Sequence, residues 1–186
     1  MGRWEPDARG RLERAALELY LERGYDQTTV AEIAGRAGLT ERTFFRHFTD
    51  KREVLFRGDE LAQAMAGAID AAPEATAPLD AVAAALESTS DFFRDRRPHA
   101  RTRQVVINAH PALQERELIK LASLATTMTD ALRRRGVADA TAGLLGQTGV
   151  AVFKVAFERW LEDPEDRPLT DLIGESLAEL RSATHP

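Results

Sequence analysis

The sequence contains no cysteine, which excludes disulfides, thiol nucleophiles and cysteine-based zinc sites. Its four histidines, His47, His99, His110 and His185, form neither a His-x-x-x-His nor a Glu-x-x-His cluster, so no metal site is indicated. No Gly-rich phosphate loop follows a strand-like run, and nothing positions a Ser/His/Asp triad. An enzyme is not expected, and neither is a cofactor. Runs of about 18 apolar residues are also missing, so no membrane span is expected. The polar start MGRWEPDARGR lacks the apolar stretch of a secretion signal. These absences together lead us to expect a cytoplasmic protein.

What is present suits a helical protein. The 186 residues are 44% hydrophobic, enough for a substantial core. Richness in Ala, Arg, Leu and Glu favours long helices, and the periodicity predicts an all-α fold of about nine of them. The net charge of −5 argues at first against a nucleic-acid partner. Residues 1–57, however, carry 11 basic and 10 acidic side chains, against 14 and 20 in the remainder. Local charge governs docking to phosphates, and Arg36, Arg42, Arg46 and Lys51 all fall in one short stretch.

That stretch, Thr28 to Phe56, organises the chain. Thr29 and Glu32 have the spacing of a capping box, followed by an apolar stripe of Val30, Ile33, Ala34 and Ala37. Gly38 stands where the chain must turn with positive φ. Thr40 caps a second helix, Glu41 to about Phe48, and Asp50 with Glu53 caps a third. Ala34, Gly38 and Phe44 fit a helix-turn-helix: a small residue at the crossing, glycine in the turn, a large anchor beyond it. With Phe44 and Phe48 facing the core, Glu41, Arg42, Thr43, Arg46 and His47 face outward, with Phe45 at the border. These residue types contact phosphates and major-groove base edges.

Residues from about Arg11 to Phe56 resemble the N-terminal DNA-binding domain of the TetR (tetracycline-repressor-like) family of bacterial regulators. The matching pieces are a first helix ending in Gly24-Tyr25, then Thr28-Thr29, the Ala-Gly-Leu-Thr turn, an aromatic-rich recognition helix and a Phe-x-x-Lys beyond it. The resemblance implies base reading by Glu41, Arg42, Thr43 and Phe45, and phosphate contacts from Thr29, Arg36, Thr43, His47 and Lys51. Thr40 and Arg46 complete the expected DNA-binding set. Phe45 and His47 stand where the family often has tyrosine. Arg42 and Arg46 can pair with guanine, so a G-containing half-site is expected.

The rest of the chain is expected to form a second, ligand-binding and dimerisation domain over residues 51–186, after a helix-turn-helix domain of residues 1–50. The first helix should run from Ala8 to Arg23, after an arm of Met1 to Asp7; Arg3 in the arm and Arg9 and Arg11 in the first turn of the helix are candidate phosphate contacts. A fourth helix, Lys51 to Ala71, should link the domains, with Gly58 as a weak point. Expected next are a helix from Leu79 to Arg97 stopped by Pro98, a short one from Ala100 to Ala109, and a long one from Pro111 to Arg135. Arg133, Arg134 and Arg135 would complement the macrodipole at its end. The last two helices, Ala140 to Leu161 and from Leu169 on, carry more apolar surface than one small domain hides. Gly146, Val150, Phe157, Trp160, Leu172, Ile173, Leu177 and Leu180 are therefore the expected homodimer interface, built as a four-helix bundle. The resemblance further implies a small-molecule effector in a helical chamber, with Met65, Ile69, Phe93, Ile107, Met128 and Phe153 as candidate lining. A structural or protein-binding bundle would account for the last two helices, but not for the exposed Arg42, Thr43 and Arg46 beside a capped turn.

Overall fold

In the computed structural model, residues 7–56 and 59–184 are described; Arg3, Gly58 and His185 lie outside them. The described residues hold ten α-helices and one 3-10 turn, with no strand, as the all-α expectation required. The chain divides into two compact units, Met1–Arg57 with His99–Leu118, and Gly58–Pro98 with Ile119–Pro186.

The first unit starts with α1 (Ala8–Arg23), whose N-terminus is capped by the Asp7 carboxylate accepting from the Gly10 N–H. It ends at Gly24, where φ is 83°, a conformation glycine adopts without penalty. Helices α2 (Val30–Arg36) and α3 (Glu41–His47) follow, then the 3-10 turn Glu53–Leu55. From the second segment come α7 (Arg97–Asn108) from His99 onward and α8 (Pro111–Arg134) as far as Leu118. Leu12, Ala16, Leu19 and Tyr20 of α1 share one core with Ile33, Ala34, Phe44, Phe48, Val54, Leu55 and Phe56. Val106, Ile107 and Leu113 complete that core from α7 and α8.

The continuous helix expected from Lys51 to Ala71 is replaced by the 3-10 turn and by α4 (Glu60–Ala71). The cause is Phe56. It is 4% exposed and extended (φ −111°, ψ 97°), and its ring lies 5.0 Å from the Arg103 guanidinium carbon and 5.6 Å from that of Arg116. Burying this ring stabilises the break more than one further helical hydrogen bond would. Arg103 also donates to the Leu55 carbonyl at 2.7 Å and to Glu117 at 3.2 Å, while Arg116 makes a two-pronged ion pair with Glu53.

The second unit contains α4, α5 (Pro78–Ser88), α6 (Ser90–Phe93), the remainder of α8, α9 (Asp139–Glu162) and α10 (Leu169–Thr184). The expected helix from Leu79 to Arg97 is split in two, and Pro98 starts α7 instead of stopping α5. Proline in a first turn loses no hydrogen bond, because the N–H it lacks would have no helical partner. The buried Thr89 donates its hydroxyl to the Leu86 carbonyl at 2.6 Å, and Asp95 turns the chain at φ 59°. Helix α8 stops before Gly136, whose φ is 83°, with Val137 N–H reaching Leu132 O at 3.1 Å. Arg133 and Arg134 stand in its last turn, where cations complement the macrodipole as expected, and they also find carboxylates: Arg133 pairs with Asp130 and Asp139, and Arg134 with Asp70. Arg135 donates to the carbonyls of Ile69, Ala72 and Pro73, closing the C-terminus of α4.

Helix α9 crosses α8 closely because Gly146 lacks a side chain. A Cβ there would overlap the Thr129 hydroxyl and lie 2.7 Å from the Ala125 carbonyl oxygen. By length and composition α9 would also serve as a membrane span, but one of its faces packs on α5 and α10.

Candidate nucleic-acid interface

The turn between α2 and α3 is fixed by local chemistry. Thr29 accepts from the Glu32 N–H at 3.2 Å, and the Glu32 carboxylate accepts from the Thr29 N–H at 2.9 Å, which is the complete capping box. These bonds also hold the Glu32 carboxyl below its usual pKa. At the other end, Gly38 has φ 65° and Leu39 N–H donates to Ala34 O at 2.8 Å. Arg11 donates to the Ala37 carbonyl in the same turn, so α1 braces it. Thr40 then caps α3 by accepting from the Thr43 N–H at 3.2 Å. Each such cap is worth about 1 kcal/mol.

Helix α3 is anchored by Phe44, which is fully buried and lies 5.5 Å from the Phe48 ring. Around that anchor the outward surface comprises Glu41, Arg42, Arg46 and His47, with Thr43 half-buried. Phe45 is 55% exposed, an apolar ring presented to solvent. Among the described residues no hydrogen bond or ion pair engages the side chains of Arg42, Arg46 or His47. The helix thus presents two uncommitted guanidinium groups, an imidazole and an aromatic ring on a rigid mount.

Arg36 and Lys51 do not join them. The Arg36 guanidinium takes both oxygens of Glu22 at 2.9 Å and reaches Glu18 at 3.4 Å. This pairing raises the Arg36 pKa further and lowers that of Glu22. Lys51 points its ammonium at the Tyr25 and Thr28 carbonyls, at 2.8 and 2.9 Å, with Nζ 4.2 Å from the Tyr25 ring centre. It closes the loop after α1, helped by Tyr20, whose hydroxyl donates to Lys51 O at 2.6 Å. Burial of that phenol pushes its pKa up. Arg9 likewise pairs with Glu13 at 3.1 Å and lies 5.5 Å from the Phe48 ring centre.

The remaining candidates fall in both units. Met65, Ile69 and Met128 are fully buried in the second unit, and Phe153 is 6% exposed there. Phe93 lies 6.0 Å from Phe153, 5.2 Å from Phe157 and 5.9 Å from Trp160, forming one ring cluster. Ile107 does not belong to this set; it is buried in the core of the first unit.

Of the expected interface residues, Gly146, Trp160, Leu172, Ile173 and Leu177 are buried inside their own chain, and Val150, Phe157 and Leu180 are half-buried. The apolar surface actually left on α9 is Leu144, 70% exposed, with Ala151 and Val155. These residues lie seven and four apart, a second stripe that a helical wheel separates from the buried one. Sequence reading also missed Arg103 and Arg116, because their partners lie tens of residues away.

Residues 13–57 match the family model described as bacterial regulatory proteins, tetR family, and residues 76–185 match that of the MftR C-terminal domain. The chain is 30% identical to the transcriptional regulator MftR of Mycobacterium tuberculosis, over 86% of this chain and 82% of that protein. It is 39% identical to the HTH-type transcriptional regulator TcmR of Streptomyces glaucescens over 47% of this chain, a match spanning only 39% of TcmR. Among solved structures, a SmeT–triclosan complex superposes with a TM-score of 0.61 at 20% identity, over 92% of this chain and 90% of that one. The sequence relatives are transcriptional regulators, not enzymes.

Proposed function

This chain belongs to the TetR family of bacterial transcriptional regulators, and from that premise we propose that it is a homodimeric repressor. It is released from a palindromic operator by a small, largely apolar ligand. The observation that carries the reading is the surface of α3, where Arg42, Arg46 and His47 surround an exposed Phe45 and have no hydrogen-bond or ion-pair partner among the described residues. Cations kept at the surface without carboxylates are available to phosphates and base edges. Arg42 and Arg46 reach guanine, Glu41 accepts from cytosine, and Phe45 meets a thymine methyl. Thr29, Thr40, Thr43 and His47 fix the helix on the backbone. Arg36 and Lys51 act one step back, holding α1 and its following loop.

One helix-turn-helix makes few base contacts, so specificity requires two copies on half-sites about one helical turn apart. The stripe of Leu144, Ala151 and Val155 on α9 supports pairing with a second copy, extended on α10 by the exposed Gly174 and Ala178. A ligand then acts through its differential affinity for the DNA-competent spacing, with coupling of about 1–3 kcal/mol typical. The triclosan bound by the structural neighbour SmeT supports a small apolar effector. A cytoplasmic location follows from this role.

The test is a gel shift with DNA from upstream of the chain's own gene, run over a salt series. Specific binding that weakens steeply with salt is expected. Arg42→Ala should cost about 1–3 kcal/mol and relax the preference for one base pair. Operator affinity unchanged in that variant would remove α3 as the reading helix. Val155→Glu should yield a monomer by sedimentation; a dimer that persists would place the interface elsewhere.

A further inference from the structure

Among its described residues the second unit holds a cation without a counter-ion. Arg96, between α6 and α7, has its guanidinium carbon 4.9 Å from the centre of the Phe92 ring, and its Nη1 is buried with no hydrogen-bond partner. Its neighbour Arg97 is 11% exposed and pairs with Asp166 and the Asp163 carbonyl, yet its Nε is also buried and unpartnered. Asp91 pairs with Arg94, Asp163 with Arg167 and Asp166 with Arg97, and the exposed Asp95, next to Arg96 in the chain, makes no ion pair with it. Arg96 itself is half-buried, but its Nη1 is withdrawn from water on one ring and lacks the acceptor that normally accompanies a buried polar group.

Beside these two arginines stands the ring cluster. Phe92 stacks edge-on to Phe93 at 5.0 Å, and Phe93 meets Phe153, Phe157 and Trp160. Arg97 lies 6.0 Å from the Trp160 ring centre. Phe92, Phe93 and Phe157 are only half-buried, so part of the cluster is uncovered. Two orphaned cationic donors at the border of uncovered aromatic surface complement a molecule with an anionic head and an apolar body.

We propose that the effector is an anionic amphiphile, with a carboxylate or phosphate on Arg96 and Arg97 Nε and its apolar body on Phe92, Phe93 and Phe157. This rests on the reading of the second unit as the effector domain and adds the sign of the ligand's charge. Binding supplies the missing acceptor, so the head discriminates by charge while the rings tolerate different apolar bodies.

The test uses the full chain with Trp4→Phe, so that Trp160 is the single tryptophan reporter. Decanoate, decyl phosphate and decanol are titrated in turn, sharing one apolar body and differing in the head. The anionic probes should bind at least about tenfold tighter than decanol, and whichever of decanoate and decyl phosphate binds tighter identifies the head. In Arg96→Gln the preference should shrink to threefold or less, while the unliganded variant melts no lower than its parent, because an unpaired charge has been removed. Equal binding of decanol and decanoate, or no binding of either, overturns the proposal. A charge preference retained in Arg96→Gln overturns it too, as does conversion of that variant to a monomer, which would assign the counter-ion to a second copy. The operator gel shift is run alongside without probe, so retained DNA binding separates failure here from failure of the regulator reading.

Discussion

Breaking the Glu53–Arg116 pair should loosen the DNA-reading helices, although neither residue belongs to α2 or α3. Arg116 Nη2 lies 2.7 Å from Glu53 Oε2, its Nε engages the other oxygen, and the two side chains are 20% and 22% exposed. The Glu53 hydrogen bond raises the Arg116 pKa, so the guanidinium stays charged at every accessible pH. Removing one partner of a fully buried pair costs about 3–5 kcal/mol; residual exposure brings this to about 2 kcal/mol here. Arg116→Met keeps the stem against Phe56 and isolates the charge. Arg116→Met and Glu53→Gln should each cost about 1–2 kcal/mol, and the double variant about 1.5 kcal/mol less than their sum. Hydrogen exchange read by mass spectrometry locates the loss: α2 and α3 amides should lose protection, and α10 amides should not. Strictly additive costs, or a loss confined to residues 103–118, would refute the claim that α7 and α8 share the core of the reading unit.

Other perturbations separate bracing from reading. Gly38→Ala places a Cβ at φ 65°, 2.8 Å from Arg11 Nη2, and should cost about 1–2 kcal/mol in urea melts while weakening operator binding. Arg46→Ala should lower the slope of log affinity against log salt by about one without moving the melting temperature. Lys51→Met should do the reverse, losing about 1.5–3 kcal/mol of stability with the salt slope unchanged; a reduced slope would return Lys51 to the phosphate contacts. In acid, the hydrogen bonds from the Arg167 side chain and backbone lower the Asp163 pKa from 3.8 to about 2. Its contribution is therefore complete above pH 4 and is lost as pH falls toward 2. The parent should lose melting temperature faster than Asp163→Asn between pH 4 and 2, and parallel curves would exclude that role.

Features made by neighbours in the chain were readable in advance. The Thr29–Glu32 box, the Thr40 cap and the positive φ of Gly38 each depend on a few adjacent residues. The Phe44 and Phe48 anchors follow from helical spacing alone. What escaped depends on distant partners. Arg36 and Lys51 have the composition of phosphate contacts, and only folding reveals Glu22 and the Tyr25 and Thr28 carbonyls as their partners. Phe56 looks like one more helical position until Arg103 and Arg116 are in place. Helix α9 has two apolar faces, and composition does not say which one its own chain covers.

Because Val106, Ile107 and Leu113 lie in the same core as Phe44, cutting after residue 57 does not yield a transplantable module. Anyone building a chimaera by grafting this N-terminal stretch onto another regulator's body would leave holes where those three side chains belong. The host's own hairpin would have to refill them, or residues 99–118 would have to travel with the graft. Specificity and responsiveness are thus harder to exchange in this scaffold than its linear order suggests.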